Sequence, residues 1–181
     1  MSSVKALSGN YTLDPAHTRI GFVARHAMVT KVRGSFDDIS GTANTGENLA
    51  GAKINVVIHA ASIDTRNADR DNHLRSADFF NVEQYPTIKF VSTSVVAVGD
   101  DTLRVQGNLT IKDITGPVTI DFEYNGQAVD PFGNTRIGFE GSTQIVRSDF
   151  GLTWNAALEA GGVLVSDKIT LEFEISAIKE S

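Results

Sequence analysis

The chain has 181 residues, a hydrophobic fraction of 41% and a formal net charge of −6 at pH 7. This length fits one domain, so we treat residues 1–181 as a single unit. The acidic balance argues against nucleic acid and equally against an anionic membrane surface, because phosphate groups attract basic surfaces. The absence of cysteine excludes disulfides and thiolate metal sites.

The amino-terminal segment MSSVKALSGNYTLD has one lysine and no apolar core, unlike a signal peptide. The sequence also has no apolar run of the length that a membrane-spanning helix needs. These features predict a cytoplasmic protein without stable membrane insertion.

The first half of the chain shows the alternation of apolar and polar residues that is typical of β-strands. The first candidate strands, in chain order, are TRIGFVARHA, KVRGSFDDISGTA and AKINVVIHA. Alternation in the first of these strands places His26 on the same face as Ile20, Phe22 and Ala24. Phe36 and Ile58 occupy the apolar faces of the next two strands. Before them, Asp14-Pro15 predicts a short helical turn.

A charged segment, DNHLRSADFF at residues 71–80, then interrupts the strands. Asp69 or Asp71 is a candidate cap for a short helix that ends near Ala77. On such a helix Asp71 and Arg75 are expected to form a surface ion pair. Phe79 and Phe80 are expected to point inward, either as a plug of the core or as contacts for a ligand.

Five further strand candidates follow: TIKFVSTSVVAV, LRVQGNLTI, PVTIDFEYN, TRIGFEGSTQIV and KITLEFEISAI. Their apolar faces include Phe90, Leu109, Phe122, Phe139 and Phe173. Strands with one apolar and one polar face are typical of antiparallel sheets. Glycines within the strands and the many phenylalanines favour a closed barrel over a flat sandwich. The predicted fold is an all-β, antiparallel, eight-stranded barrel with a short helix near one end.

The remaining candidates are the histidines, Trp154 and Ser148, and the sequence allows two roles for His26 and for Trp154. The histidines lack metal-binding spacing, so we predict no metal and no cofactor. His26 is a candidate partner for the polar head of a ligand, or a hydrogen-bonded group at a strand end. Trp154 would line the mouth of a pocket or pack at the barrel rim. Ser148 beside Asp149 lacks the sequence context of a catalytic nucleophile.

Several segments, in order, resemble the YceI-like family: YTLDPAHTRIGFVARH, RDNHLRSADFFNVEQYPTIKF, GNLTIKDITGPV, RSDFGL and VSDKITLEFEISA. The family consists of small lipocalin-like barrels that bind polyisoprenoid lipids. The resemblance therefore implies a lipocalin-like barrel, a polyisoprenoid or other long-chain lipid as partner, and a possible homodimer. Many members are exported, whereas this sequence shows no export signal.

The predicted function is non-covalent binding of a long apolar ligand, such as a polyisoprenoid lipid or isoprenoid quinone, for storage, sequestration or transport. The predicted binding residues are Phe22, His26, Phe36, Ile58, Phe79, Phe80, Phe90, Leu109, Phe122, Phe139, Trp154 and Phe173. Two alternatives stay open at this point. One is an enzyme acting on a lipid-like substrate with His17 or His26 as acid or base, and the other is a structural barrel filled by its own side chains.

Overall fold

The computed structural model describes residues 3–158 and 162–180. Within them, eleven strands form one antiparallel sheet: β1 (Gly9–Leu13), β2 (Arg19–His26), β3 (Thr30–Phe36), β4 (Ile39–Thr45), β5 (Lys53–His59), β6 (Ile63–Asp64), β7 (Thr87–Val98), β8 (Thr102–Ile111), β9 (Ile114–Val129), β10 (Thr135–Val146) and β11 (Lys168–Lys179). The α-helix α1 spans Ala68–Arg75. Short 3₁₀ helices span Val4–Ala6, Pro15–His17, Glu47–Leu49, Ala60–Ser62 and Arg147–Phe150.

Eight of these strands close into a barrel, which confirms the predicted fold class. They follow the order β1-β4-β5-β7-β8-β9-β10-β11, and β11 pairs again with β1. The closing register places Tyr11 opposite Lys179 and Leu13 opposite Ala177. Closure removes the exposed sheet edges that would otherwise template aggregation.

The other three strands extend the wall at one end of the barrel. Strand β2 pairs with the first half of β11, where Val23 lies opposite Thr170, and β3 and β6 follow it in the sheet. The Asp14 side chain caps the 3₁₀ turn between β1 and β2 by accepting the Ala16 N–H at 3.1 Å. Among the described residues β6 pairs with β3 alone, so the sheet is not continuous from β6 to β7 at this end.

Each end of the barrel is covered by a different segment. At what we call the N-terminal end, the fully buried Val4 packs in a cluster with Leu7, Tyr11 and Leu103. At the opposite end, which we call the helix end, α1 and the residues after it cover the break beside β6. Phe79 and Leu152 are buried there, within a second cluster.

Glycines on neighbouring strands make room for phenylalanine rings along the inner wall. A methyl group built on Gly34 would lie 2.4 Å from the Phe22 ring, and one built on Gly107 would lie 2.4 Å from the Phe90 ring. Both distances are shorter than any real contact, so each ring lies directly on its glycine. The strand glycines thus mark close approach of a side chain to the wall, one of the meanings that strand glycine can have.

Candidate ligand-binding cavity

The barrel encloses a cavity of about 300 Å³ whose walls present almost no polar surface. Each of the eight barrel strands contributes lining residues, from Tyr11 and Leu103 near the N-terminal end to Ile111 at the helix end. This volume lies at the small end of the range of ligand pockets, roughly 300–1,000 Å³. An apolar space of this kind suits a ligand that offers few hydrogen-bonding groups.

Ten of the twelve predicted binding residues line this cavity. They are Phe22, Phe36, Ile58, Phe79, Phe80, Phe90, Leu109, Phe122, Phe139 and Phe173. The alternation of the strands thus placed the six strand phenylalanines in one interior, as predicted. Their contact with a ligand stays a prediction.

Phe79 and Phe80 reach the cavity because the chain turns sharply after α1. The Phe80 N–H donates to the Leu74 carbonyl at 2.9 Å, and the Phe79 N–H donates to the Ser76 carbonyl at 3.0 Å. Phe79 is buried, whereas Phe80 is half-buried and meets the Phe36 ring edge-on at 5.9 Å. Both rings therefore cover the helix end and line the cavity at once.

Helix α1 is held by a different network from the predicted one. Its N-cap is Asn67, whose side chain accepts the Arg70 N–H, and the helix ends at Arg75. The predicted ion pair between Asp71 and Arg75 is wrong. The buried Asp71 carboxylate instead accepts both the backbone N–H and the hydroxyl of Thr65, at 2.9 and 2.6 Å.

Arg75 points away from Asp71, toward the backbone before the helix. Its Nε donates to the Ala61 carbonyl at 2.8 Å, and its Nη2 donates to the Ile63 carbonyl at 3.1 Å. Helical spacing brings two side chains within reach, but buried backbone groups compete for the same donors and acceptors. The helix is thereby bonded to the segment that contains β6.

His26 does not face the cavity, so the prediction of its position is wrong. It is exposed and does not line the cavity. Strand β2 pairs with β11 only as far as Val23, and beyond Ala24 the strand leaves the barrel as a hairpin. Alternation holds along the strand, but the barrel ends before His26, which forms an isolated bridge with Val165.

Trp154 is half-buried at the helix end and does not line the cavity either. Its ring packs against Phe79 at 5.3 Å and against His73 at 4.6 Å. His73 in turn lies 2.8 Å from the Asp78 carboxylate. Of the two predicted roles, the structure supports packing at the rim, because Trp154 supports Phe79 without reaching the cavity.

Arg147 is a buried charged residue beside the cavity to which sequence reasoning gave no role. It is 5% exposed and lies beside the cavity, and burial lowers the pKa of its guanidinium. Its nitrogen atoms donate to the carbonyls of Leu152, Trp154, Val165 and Ser166. The carbonyls disperse the buried positive charge, and the arginine ties the segment after β10 to the start of β11. No sequence signal distinguishes it from an ordinary turn residue.

His17 lies on the outside of the barrel. Its side chain is 67% exposed and is paired with Asp14 at 2.8 Å. The Arg136 guanidinium and His17 together lower the pKa of the Asp14 carboxyl. In residues 3–158 and 162–180 no three acidic or histidine side chains are grouped so as to hold a metal ion. Nor does any helix in those ranges have the length and apolar character needed to cross a membrane.

A closed eight-stranded antiparallel barrel with an apolar interior and covered ends defines the class of lipocalin-like barrels. The chain belongs to the YceI-like family, since the model of the YceI-like domain matches residues 11–177. It is 41% identical over 154 residues to Protein YceI of Escherichia coli, covering 83% of this chain and 80% of that protein. A UPF0312 protein of Photorhabdus laumondii is 42% identical over 153 residues, covering 83% of this chain and 79% of that protein.

Solved structures support the same assignment of fold. The YCEI protein of Campylobacter jejuni matches with a TM-score of 0.74 and 31% identity, over 87% of this chain and 90% of that chain. BcnA of Burkholderia cenocepacia matches with a TM-score of 0.78 and 22% identity, over 91% of this chain and 98% of that chain. A polyisoprenoid binding domain from Saccharophagus degradans matches with a TM-score of 0.73 and 18% identity, over 94% and 98%. The last two show the shared fold alone.

Proposed function

We propose that this protein binds a long apolar ligand, a polyisoprenoid lipid or an isoprenoid quinone, non-covalently within the barrel for storage, sequestration or transport. The observation that carries the proposal is a cavity with almost no polar surface, in a barrel of the YceI-like family. The polyisoprenoid binding domain of the same fold points to the class of ligand. The ten predicted residues that line the cavity would contact the chain.

Binding would be driven by removal of hydrocarbon from water, which contributes about 0.8 kcal/mol for each buried CH₂ group. Ordering a flexible chain opposes this gain. Phenylalanine rings such as Phe22 and Phe90, which lie on glycines, form part of the apolar wall that would contact the chain. Arg147 adds little polarity to the cavity, because its donors are directed to backbone carbonyls.

The two alternative functions have less support. An enzyme with His17 or His26 as acid or base would need that histidine beside the bound substrate. Both histidines lie outside the set of residues that line the cavity, which favours a binding protein over an enzyme. A barrel filled by its own side chains would leave no cavity of about 300 Å³.

Two further parts of the proposal are a cytoplasmic location and a homodimer. A cytoplasmic location is tested by cell fractionation with an antibody against the native protein. A homodimer is tested by light scattering of the purified protein over a range of concentrations.

Mass spectrometry of an organic extract from the purified protein tests the ligand. We expect an isoprenoid lipid at about one molecule per cavity, because an apolar pocket of this size holds one ligand. Removal of the lipid, followed by titration with a polyprenol and with a straight-chain alcohol of equal length, tests whether the branched chain is preferred. A stoichiometric fatty acid would reject the isoprenoid, and an extract without stoichiometric lipid would count against lipid binding by the purified protein.

A further inference from the structure

The hairpin formed by β2 and β3 has a charge opposite to that of the whole chain. Residues 18–36 contain four basic residues and no acidic residue, although the net charge of the chain is −6. Three of the four, Arg25, Lys31 and Arg33, are exposed, and none of them has an ion-pair partner among the described residues. We call residues 19–36 the basic hairpin.

The arrangement of these charges is costly for the fold itself. Arg25 lies directly opposite Lys31 in the register of the two strands. Like charges directly opposite each other on antiparallel strands destabilise the pair. A partner with negative charge would offset the repulsion between Arg25 and Lys31.

The tip of the basic hairpin is apolar and exposed. Met28 is 57% exposed and Val29 is 76% exposed. The Met28 sulfur lies 2.1 Å from the position that a side chain on Gly162 would take, so Met28 packs on that glycine beside the 41% exposed Val163. The tip and the neighbouring Val163 thus present three exposed apolar side chains beside the flanking basic residues.

The hairpin also rises from the rim of the cavity. Ala24, two residues before His26 on β2, lines the cavity, as does Val165. The Ala27 N–H donates to the Leu164 carbonyl at 2.7 Å, which bonds the hairpin to the segment that carries Val165. Whatever binds the tip is therefore placed next to the helix end of the cavity.

We propose that the basic hairpin docks on the surface of an anionic lipid bilayer, with Met28, Val29 and Val163 in the headgroup region. Apolar side chains flanked by lysine and arginine bind anionic bilayers through burial and charge attraction together. Arg19 and Arg33 line an outer groove that also holds acidic residues, so Arg25 and Lys31, next to the tip, are the charges available to a partner. The acidic residues of this groove on β8–β11 are Asp121, Glu123, Glu140, Glu172 and Glu174. Repulsion between these carboxylates and an anionic surface would orient the molecule with the tip of the hairpin toward the lipid.

Vesicle flotation with purified protein tests the docking surface. The probes are vesicles of phosphatidylcholine alone and vesicles that also contain phosphatidylglycerol. We expect the wild type to bind only the anionic vesicles, and less at high salt, because salt screens exposed charges. The double variants Met28→Ser/Val29→Ser and Arg25→Gln/Lys31→Gln should each lower the bound fraction roughly tenfold or more.

Phe132→Ser is the matched control. Phe132 is 88% exposed at the tip of the β9–β10 hairpin, which lies at the N-terminal end of the barrel. This variant should bind anionic vesicles as the wild type does, and circular dichroism should show that all variants keep the fold. The proposal is overturned if the wild type does not bind anionic vesicles, if both double variants bind as the wild type does, or if Phe132→Ser abolishes binding.

Docking on a bilayer does not depend on a bound ligand, so vesicle flotation and lipid extraction test the two proposals independently. If the protein carries stoichiometric isoprenoid but does not bind anionic vesicles, the docking surface is rejected and the cavity proposal stands. Vesicle binding by a protein that holds no lipid rejects the cavity proposal alone.

Discussion

At the scale of the residue, the cavity stays open because phenylalanine rings lie against glycines, which have no side chain. Phe22 lies on Gly34, directly opposite it in the register of β2 and β3, and Phe122 has the same relation to Gly141 across β9 and β10. A ring that lies on a glycine covers the wall and leaves the centre of the barrel open. An alanine in place of the glycine would push the ring inward.

The variant Gly34→Ala tests this packing. The three atoms nearest to the new methyl group belong to the Phe22 ring and the Thr65 side chain, at 2.4–2.9 Å. The ring must therefore move toward the cavity, and overpacking of this kind costs about 1–3 kcal/mol. We expect lower retention of bound lipid in a folded protein, measured by extraction and mass spectrometry. The control is Gly138→Ala, whose methyl group would meet nothing closer than 3.7 Å, and equal losses in both variants would contradict the idea.

Phe79 and Phe80 differ in burial, and their alanine variants should differ accordingly. Phe79 is 6% exposed and is packed by Trp154 and His73, so Phe79→Ala should cost about 3–5 kcal/mol of unfolding free energy. Phe80 is only half-buried, so Phe80→Ala should cost less and act mainly on lipid retention. Urea unfolding and lipid extraction measure the two effects. Full retention in a folded double variant would remove both residues from the binding site.

Arg147 holds the segment after β10 through four backbone carbonyls, and lysine cannot replace it. An ammonium group has three donors on a flexible stem, whereas the guanidinium holds five in a rigid plane. We expect Arg147→Lys to lower the unfolding free energy by roughly 1–3 kcal/mol, because buried carbonyls lose their partners. Arg104→Lys, on an exposed pair with Asp121, should change it by no more than about 1 kcal/mol. Similar values for the two variants in urea unfolding would show that Arg147 has no special role.

At the scale of the element, α1 and the turn after it act as a cover over the break in the sheet. Asp71 links the helix to the residue that follows β6, because its carboxylate accepts two hydrogen bonds from Thr65. Arg70 adds a donor to the Thr65 hydroxyl at 2.7 Å. The position of Phe79 and Phe80 therefore depends on polar contacts that lie outside the cavity.

The variant Asp71→Ala should loosen this cover. The Thr65 N–H would be buried without its acceptor, at a cost of about 1–3 kcal/mol. We expect faster hydrogen exchange in residues 65–80 and faster loss of bound lipid to acceptor vesicles. Asp69→Ala removes a carboxylate from the same first turn at an exposed position, so it should behave as the wild type. If both variants exchange lipid at the wild-type rate, the cover does not control access.

At the scale of the whole molecule, the barrel is closed by pairing of the two ends of the chain. Strand β1 pairs with β11, and the Arg136 side chain bridges Asp14 and Asp130 across the N-terminal end. Hydrogen bonds from Asn134 and from Arg136 hold the pKa of the Asp130 carboxyl at about 2, below its ordinary value of 3.8. A carboxyl with a depressed pKa stabilises the fold above its ordinary pKa, and that contribution is lost as the pH falls toward 2.

The unfolding free energy should therefore fall between about pH 4 and pH 2 in part because Asp130 takes up a proton. Asp130→Asn should be less stable than the wild type at pH 7 and should lose less stability across that range. Urea unfolding at a series of pH values measures both effects. Asp69→Asn serves as the control, and an unchanged acid dependence in Asp130→Asn would show that other carboxyls govern acid unfolding.

Alternation, together with the strand glycines and phenylalanines, was enough to predict the barrel and to place the six strand phenylalanines on its inside. A side chain on a strand faces one side or the other, so Phe90, Phe122 and Phe173 could be placed on the inside before any pairing was known. The same rule misplaced His26, because it describes the strand and contains no information on where the barrel ends. Trp154 lies in an irregular segment and Arg147 begins a 3₁₀ helix of four residues, so neither belongs to a stretch long enough to show a period.

The sequence by itself determined the class of fold, the apolar character of the interior and the family, because local alternation and a long ordered set of motifs are properties of the chain. Only the tertiary structure decided which strands close the barrel, that β2 and β3 extend beyond it, and that Asp71 bonds Thr65 rather than Arg75. The structure also revealed the rings on their glycines and the buried Arg147. The physical reason is that pairing register and competition for buried hydrogen bonds join residues far apart in the chain, which no local pattern records.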